Sequence, residues 1–360
     1  MNRRTRTPAA GPLAGRPLDL RRGCVELAHG AGGRATAQLI AQLFLPELDN
    51  PWLRAADDGA AVPLPPPQAA ELVMATDGHV VAPPEFPGGD LGRLAVHGTV
   101  NDVAMMDAEP LYLSAAFIVE EGTPLALLQR LVRSMGEAAR EAGVPVVCGD
   151  TKVVERGKGD GVFVATTGVG WRAHGVRVGA AQARVGDAVL LSGPIGEHGA
   201  ALLAHRAGLT LQPPLSSDSA ALHTLVRVLR QAVPPAALHV LRDPTRGGLA
   251  AALHEIAHAA GVGFTLREDA IAVTPPVQAV CELLGFDPLH LPCEGRLLAL
   301  VAQQAAEAAL AALRAHPLGA QAACIGHAND DPLRLVQLHT RLGGQRVIDW
   351  LSGEPLPRIC

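Results

Sequence analysis

The sequence predicts an α+β protein of two domains, each of which mixes strands with helices. Its 360 residues are enough for about two domains. Apolar residues make up 48% of the chain but aromatic residues only 3%, so the predicted cores are aliphatic. Short runs rich in Val, Ile and Leu alternate with helical patterns in both halves, which favours strands and helices throughout.

The chain divides into two domains between two tails. The first 22 residues carry six arginines and no continuous apolar stretch, which predicts a disordered basic tail rather than a secretion signal. A small, polar, glycine-bearing segment that starts at Trp171 places the domain boundary near residue 175. The predicted divisions are a basic tail over 1–22, an N-terminal domain over 23–175, a C-terminal domain over 176–342 and a flexible tail over 343–360.

In the first domain, apolar runs alternate with one clear helix. The helix is predicted over 124–142, where Leu128, Leu131 and Val132 share one face, with Thr123 as its N-cap and Gly143 at its end. Strands are predicted over 71–76, 110–120, 144–149 and 161–170.

The second domain shows the same alternation. The run AVLLSG, which follows the boundary segment, is typical of a buried strand. A strongly apolar helix is predicted over 247–260, followed by strands at 263–267 and 296–302.

Composition and charge exclude several kinds of partner. The formal net charge of −5 offers no basic field for nucleic acid or anionic lipid. No apolar run reaches the ~18 residues that a membrane span needs. Six cysteines lie far apart and form no C-x-x-C pair, which argues against a zinc ribbon or a disulfide framework. We therefore predict a cytoplasmic protein that binds no nucleic acid and no membrane.

Acidic residues stand beside small residues at the ends of several apolar runs. Carboxylates without histidine or cysteine neighbours are hard oxygen ligands, suited to magnesium that bridges phosphates. Any single aspartate could instead cap a turn or a helix, but five such stations favour a nucleoside triphosphate. The stretches are ADDGAAV, MATDGH, GTVNDVAMMD, VVCGDTKV and LRDPTRGGL, and their candidates are Asp58, Asp77, Asn101, Asp102, Asp150, Thr151 and Asp243.

Two further patterns are ambiguous. The glycine-rich stretches at 29–33 and 193–199 lack the Lys-Ser/Thr of a P-loop and could equally begin helices. His254 to His258 match the H-E-x-x-H motif of zinc peptidases, but Phe264 stands where the longer motif needs a third ligand. The alanine-rich sequence around it favours one face of an amphipathic helix over a zinc site.

The last residue, Cys360, carries a reactive thiol that a reducing cytosol would keep from being oxidised. Pro355 and Pro357 keep the preceding segment extended. The last eight residues could span roughly 26 Å at ~3.3 Å each, which is enough to reach into a cleft.

Two more residues are candidates for the chemistry. Glu294 precedes a predicted strand and could be a base with a raised pKa, or simply a solvated carboxylate. Lys152 could orient a phosphate, or pair with Asp150 or Glu155.

Taken together, these stretches resemble the hydrogenase-maturation carbamoyl dehydratase family. That family is part of the superfamily of aminoimidazole ribonucleotide synthetase, selenophosphate synthetase and thiamine monophosphate kinase. The resemblance runs from about residue 25 to residue 360. It rests on LAHGAGG, FPGGDLGRLAVHGTVNDVAM, GDTKVVERG, LSGPIGEHGA, LRDPTRGGL, VCELLGFDPL, CEGRL and the closing PLPRIC, of which the last is the most specific.

The resemblance implies a fold and an activity. The fold would have two mixed α/β domains of the aminoimidazole ribonucleotide synthetase-like type, the first of which binds ATP and dimerises. A partner carbamoyltransferase would place a carbamoyl group on the Cys360 sulfur. The enzyme would use ATP and Mg²⁺ to dehydrate that group to a thiocyanate, and a hydrogenase-maturation scaffold complex would receive the cyanide for the iron centre of a nickel-iron hydrogenase.

The resemblance also implies roles for the candidate residues. Lys152 would lie by the reacting group and Glu294 would be the leading base. The stretch ATDGH departs from the S-T-D-S plus aromatic residue of the family, so we expect altered contacts near Gly78 and His79. The residues that would hold nucleotide are Asp58, Asp77, Asn101, Asp102, Asp150, Thr151 and Asp243, and the metal ligands among them would be Asp58, Asp77, Asp102, Asp150 and Asp243.

Three other functions compete with this one. Another ATP-dependent enzyme of the same superfamily would act on a free small molecule, but selenophosphate synthetase would need a reactive cysteine that the surroundings of Cys24 do not match. A zinc peptidase would use His254 and His258. A thiol carrier without catalysis would present Cys360 to a partner and turn over no ATP.

Overall fold

The computed structural model describes residues 17–31, 34–55, 60, 62, 70–350, 356 and 358–360. Asp58 and most of the predicted basic tail therefore lie outside the described residues. Among the described helices, none is both long and apolar enough to cross a membrane.

Helices and strands alternate along both halves of the chain, as predicted. The helices are α1 (Arg34–Leu39), α2 (Leu45–Leu48), α3 (Pro51–Ala55), α4 (Leu91–Met105), α5 (Leu125–Ala142), α6 (Glu197–Arg206), α7 (His223–Ala232), α8 (Gly248–Ala260), α9 (Pro275–Leu284) and α10 (Ala306–Arg314). The strands are β1 (Ala70–His79), β2 (Glu85–Phe86), β3 (Gly89–Asp90), β4 (Glu109–Glu120), β5 (Val146–Val154), β6 (Val162–Ala173), β7 (Ala188–Leu191), β8 (Leu238–Arg242), β9 (Gly263–Arg267), β10 (Leu298–Val301), β11 (Ala323–Asn329), β12 (Val336–His339) and β13 (Gln345–Val347).

The first domain is built on a sheet in the order β1-β6-β4-β5. One face of this sheet is covered by α4, whose start is capped by the carboxylate of Asp90. Helix α5 packs behind α4 so closely that a Cβ on Gly92 would lie 1.9 Å from the carbonyl oxygen of Leu131. Only glycine fits there, and this contact fixes the position of α4.

The other face of the sheet, here called the open face, presents large apolar side chains to solvent. Leu72 and Met74 of β1 are 58% and 64% exposed, and Ile118 of β4 is 42% exposed. Trp171 of β6 stands opposite Leu72 in the strand register. A sheet with one buried face normally carries polar residues on the other, so the apolar open face indicates an interaction surface.

The second domain is built on a sheet in the order β13-β12-β9-β11-β7-β10-β8, with helices on both faces. Successive residues of β7 and β10 alternate between two cores. Val189 and Leu300 pack on the side of α8, whereas Leu190 and Ala299 pack on the side of α7 and α10. A strand buried on both faces reads as a continuous apolar run, which explains AVLL in β7.

Most predicted elements are confirmed, with shifted ends. Helix α8 and strand β9 match the expected ranges closely, whereas the strand expected over 296–302 is limited to β10. The predicted N-cap of α5 is wrong, because Pro124 occupies that position. The hydroxyl of Thr123 instead donates to the carbonyl of Gly161, 3.3 Å away.

Candidate active site

Four acidic side chains from both domains lie close enough to repel one another. Asp77 lies near the end of β1, Asp102 lies in α4, and Asp243 directly follows β8. Glu294 belongs to the loop before β10, and its carboxyl is affected by the charges of the other three. We call these four residues the acidic cluster, and it lies where the two domains meet.

Burial and crowding raise the pKa of three carboxyl groups in this cluster, those of Asp102, Asp243 and Glu294. Burial, followed by repulsion from Asp243 and Asp77, raises the pKa of Asp102 to about 7. Burial is also the main cause that raises the pKa of Asp243 to about 6. The pKa of Glu294 lies well above its usual range, because the side chain is buried and then repelled by the neighbouring carboxylates. Such a cluster attracts cations or protons.

The backbone of Glu294 is held by the loop that precedes α7. Its amide donates to Oδ1 of Asp218 at 3.0 Å, and its carbonyl accepts from the amide of Ala220 at 3.2 Å. One side-chain oxygen, Oε1, has no hydrogen-bond partner among the described residues. Since a buried carboxylate oxygen without a partner is costly, this oxygen is available to a substrate or a proton.

The side chain of Asn101 is hydrogen-bonded within the protein. Its side chain is buried, its Nδ2 donates to the carbonyl of Ala220 at 3.0 Å, and its Oδ1 accepts from the amide of Leu222 at 2.7 Å. The amide is therefore occupied by the loop that holds Glu294. Asn101 joins α4 to the second domain, and its contact with a nucleotide stays a prediction.

The donor set of the acidic cluster fits a magnesium ion. Its members supply carboxylate oxygens, which Mg²⁺ prefers, and the raised pKa values of Asp102 and Asp243 indicate crowded negative charge that a cation would neutralise. In the part of the chain that the structure describes, no three His, Cys, Asp or Glu side chains already stand close enough to hold a metal ion. Asp58, a further predicted ligand, lies outside the described residues.

Asp150, Thr151 and Lys152 lie on β5, at the other edge of the sheet from β1. Two strands separate these edges, which corresponds to about 14 Å at ~4.8 Å per strand. Nζ of Lys152 lies 2.7 Å from Oδ2 of Asp150, and this ion pair lowers the pKa of Asp150. One chain therefore does not bring Asp150 together with Asp77.

A groove runs beside Asp150 and Thr151. It has a volume of about 270 Å³ and is lined by both apolar and polar groups, including Phe44, Trp52 and Thr151. Trp52 packs edge-on against Tyr112, with ring centroids 5.4 Å apart.

The end of the chain is docked against the first domain. The amide of Val80 donates to the carbonyl of Cys360 at 3.0 Å, and the amide of Ala82 donates to the carbonyl of Arg358 at 3.2 Å. Ile359 is only 2% exposed, and Leu356 is buried in the same core. The carbonyl of Cys360 is thus bound by Val80, which directly follows β1 and comes three residues after Asp77 in the sequence.

His198 of the second domain binds the docked tail. Its Nε2 lies 2.8 Å from the carbonyl oxygen of Ile359, and its Nδ1 lies 2.8 Å from Oγ of Ser217. The sequence motif GPIGEHG, which contains His198, proves to be the start of α6, where Gly196 has a positive φ of 79°. The motif had no phosphate-binding signature, and nothing in the sequence indicates that its histidine meets the tail.

The departure at Gly78 and His79 lies beside this docked tail. Gly78 faces open space, whereas His79 is buried with Nε2 3.1 Å from Oγ1 of Thr166. His79 lies 3.8 Å from Oδ2 of Asp77, and its pKa is lowered by burial. The unusual histidine therefore packs beside Asp77 of the acidic cluster.

The histidines and the glutamate of the H-E-x-x-H motif contact other parts of the protein. Nε2 of His254 lies 2.9 Å from the carbonyl oxygen of Ile348, and its ring stacks on Trp350 with centroids 5.5 Å apart. His258 contacts the same indole, and Glu255 pairs with Arg242. The helix thus anchors residues 348 and 350 within the predicted tail, which does not favour a zinc peptidase.

Both domains of the chain match the models of one known family. Residues 56–171 match the N-terminal domain model of the AIR synthase related proteins, and residues 184–337 match its C-terminal domain model. The chain is 58% identical to carbamoyl dehydratase HypE of Cupriavidus necator over 345 residues, which cover 96% of this chain and 97% of the relative. The chain belongs to the carbamoyl dehydratase HypE family.

Solved structures agree with this assignment and confirm the predicted fold class. A structure of the hydrogenase maturation protein HypE in complex with ATP has a TM-score of 0.88 and 47% identity, and covers 93% of this chain and 99% of that chain. A structure of a HypE–HypF complex has a TM-score of 0.75 and 43% identity, and covers 87% of this chain and 99% of that chain.

Proposed function

We propose that this protein is a carbamoyl dehydratase that uses ATP to convert a carbamoyl group on its own Cys360 into a thiocyanate. The product would supply the cyanide ligand for the iron centre of a nickel-iron hydrogenase. The observation that carries the proposal is the docked tail. The carbonyl of Cys360 accepts from the amide of Val80, three residues after Asp77 of the acidic cluster. Its relatives are named for this dehydratase activity.

The proposed reaction proceeds by phosphoryl transfer and then by loss of phosphate. Cys360 carries the carbamoyl group, whose carbonyl oxygen attacks the γ-phosphorus of ATP as ADP leaves. The nitrogen then loses both of its protons, the carbon–oxygen bond breaks, and phosphate departs to leave the nitrile on sulfur. Glu294, buried with Oε1 unpartnered, is the base that we assign to a nitrogen proton. Because the carbamoyl group on Cys360 and the side chain of Glu294 belong to the same chain, this proton transfer is intramolecular.

ATP and Mg²⁺ are assigned on different grounds. ATP is supported by the HypE structure that contains it and by the AIR synthase related fold. For Mg²⁺, the support is the carboxylate cluster itself, and Asp77, Asp102 and Asp243 would hold the ion. The ion would neutralise phosphate charge during transfer.

We further propose a homodimer whose sites are shared between copies. Asp150 and Lys152 lie about 14 Å across the sheet from β1, so one chain cannot combine them with the acidic cluster. Packing two open faces together would bury Leu72, Met74 and Ile118 and bring β5 of one copy beside β1 of the other. Lys152 would then approach the reacting group of the second copy.

Mixing two inactive variants should therefore restore activity. We expect Asp243→Asn and Asp150→Asn each to abolish most ATP-dependent dehydration alone. After subunit exchange, about half of the dimers are mixed and each has one intact site, so about a quarter of the wild-type rate should return. Single-turnover dehydration measures this. A mixture no faster than its components would show that each chain has its own complete site, and adding Met74→Asp to both variants should prevent recovery.

Two protein partners follow from the proposed reaction. The HypE–HypF complex supports a carbamoyltransferase that loads Cys360. A hydrogenase-maturation scaffold complex would then receive the cyanide from the same sulfur. We propose the cytoplasm as the compartment, since a reducing environment keeps the Cys360 thiol from being oxidised.

The proposal is tested by the intact mass of the wild-type protein. Incubation with the carbamoyltransferase and its donor should add one carbamoyl group per chain, and magnesium-ATP should then remove one water. A sample that receives ADP instead of ATP is the matched control. Loading without subsequent dehydration would identify a thiol carrier, and ATP consumption without loading would indicate a free small-molecule substrate.

A further inference from the structure

His198 is the side chain that joins the docked tail to the loop holding Glu294. It is fully buried within α6 and packs edge-on against Phe86, with ring centroids 5.5 Å apart. A carbonyl oxygen can only accept, so the Nε2 that lies 2.8 Å from the Ile359 carbonyl carries a hydrogen. The ring therefore donates to the residue that immediately precedes Cys360.

The other ring nitrogen fixes this tautomer. Burial lowers the pKa of His198 to about 4, so the ring is neutral near pH 7 and Nδ1 accepts from the hydroxyl of Ser217. Ser217 is itself held, because its amide donates to the carbonyl of Pro87 at 2.8 Å and its Oγ accepts from the amide of Ser219 at 3.1 Å.

This chain of contacts leads to the base. Asp218 lies between the two serines and accepts the amide hydrogen of Glu294 at 3.0 Å. Oδ2 of Asp218 also lies 3.4 Å from Nε of Arg296, which limits its movement. The tail, His198, the 217–219 segment and Glu294 are thus connected through direct hydrogen bonds.

We propose that His198 is a positioning residue that stabilises the docked tail and so holds Cys360 toward the acidic cluster. This inference rests on the proposed function. If the tail leaves the cleft to meet its carbamoyltransferase, the Ile359 carbonyl exchanges His198 for water and the imidazole loses its acceptor. His198 should therefore favour dehydration, which needs the docked tail, and not loading, which needs the tail released.

The test uses His198→Phe, which keeps an aromatic ring against Phe86 but removes the donor. Protein loaded beforehand should dehydrate about tenfold more slowly, because the docked state loses a hydrogen bond to a buried carbonyl. Loading by the carbamoyltransferase should stay at the wild-type rate or rise, and iodoacetamide should alkylate Cys360 severalfold faster. His198→Gln, which can still donate, should recover part of the dehydration rate.

His205→Phe is the matched control, since His205 is exposed on the same helix and should leave all three rates unchanged. A general structural role for His198 would lower loading and dehydration by the same factor, and that result would overturn the proposal, as would wild-type dehydration and alkylation rates in His198→Phe. The alkylation measurement needs no ATP, so it tests docking even if the wild-type protein fails to dehydrate and the proposed function is wrong.

Discussion

Protein in which Cys360 is replaced by alanine should gain no carbamoyl group and show no ATP-dependent loss of water. The sulfur is the atom that carries the substrate, so its removal should abolish the reaction completely. Cys360→Ser separates shape from chemistry, because it keeps the docked backbone while its hydroxyl is a much weaker nucleophile than a thiolate. Intact mass after loading and after addition of magnesium-ATP measures both steps.

Cys324→Ala provides the control for this experiment. Cys324 is half-buried on β11 and its thiol donates to the carbonyl of Gly326 on the same strand, so the variant should load and dehydrate normally. If Cys360→Ala still gained a carbamoyl group, the carrier would be another side chain and the proposed function would fail.

Replacing Glu294 by glutamine should slow dehydration by roughly 10² to 10⁴ while loading continues. Glutamine keeps the size of the side chain and the backbone contacts to Asp218 and Ala220, but it cannot take a proton. Single-turnover dehydration of loaded protein measures the effect. Glu282→Gln, on the exposed side of α9, is the matched control and should be fully active.

The pH dependence of the rate gives a second signature of Glu294. Its pKa is raised by burial, so the base form increases as pH rises, and the wild-type rate should rise with it. Glu294→Gln should lack this rising limb. The raised pKa also means that stability is lost as pH rises through the folded-state value, so the variant should unfold at a higher temperature than wild type under alkaline conditions. A variant with an unchanged rate and pH profile would exclude Glu294 as the base.

Local patterns in the sequence predict most of the fold, because period and composition reflect burial directly. The uninterrupted AVLL of β7 is apolar because both of its faces are covered, and Gly143 ends α5 with a φ of 69° as expected. The capping position of α5 escaped prediction because Thr123 and Pro124 are both acceptable there, and only the contact with Gly161 decides between them.

The candidate site is less accessible to such reasoning, because its geometry depends on which strands become neighbours. The acidic stations can be found as carboxylates after apolar runs, yet the order β1-β6-β4-β5 separates Asp77 from Asp150. The amide of Asn101 resembles a ligand in sequence but is occupied by the backbone of Ala220 and Leu222. His198 lies 161 positions before the carbonyl that it binds, so no local pattern connects them.

The scarcity of aromatic residues has a practical consequence for spectroscopy. The chain has only three tryptophans, and each occupies a different place: Trp52 lines the groove beside Thr151, Trp171 lies on the open face, and Trp350 of the predicted tail stacks on His254. With a single tyrosine in the chain, intrinsic fluorescence comes almost entirely from these indoles. Variants that retain one tryptophan each would report separately on the groove, on subunit association and on tail movement, without any added dye.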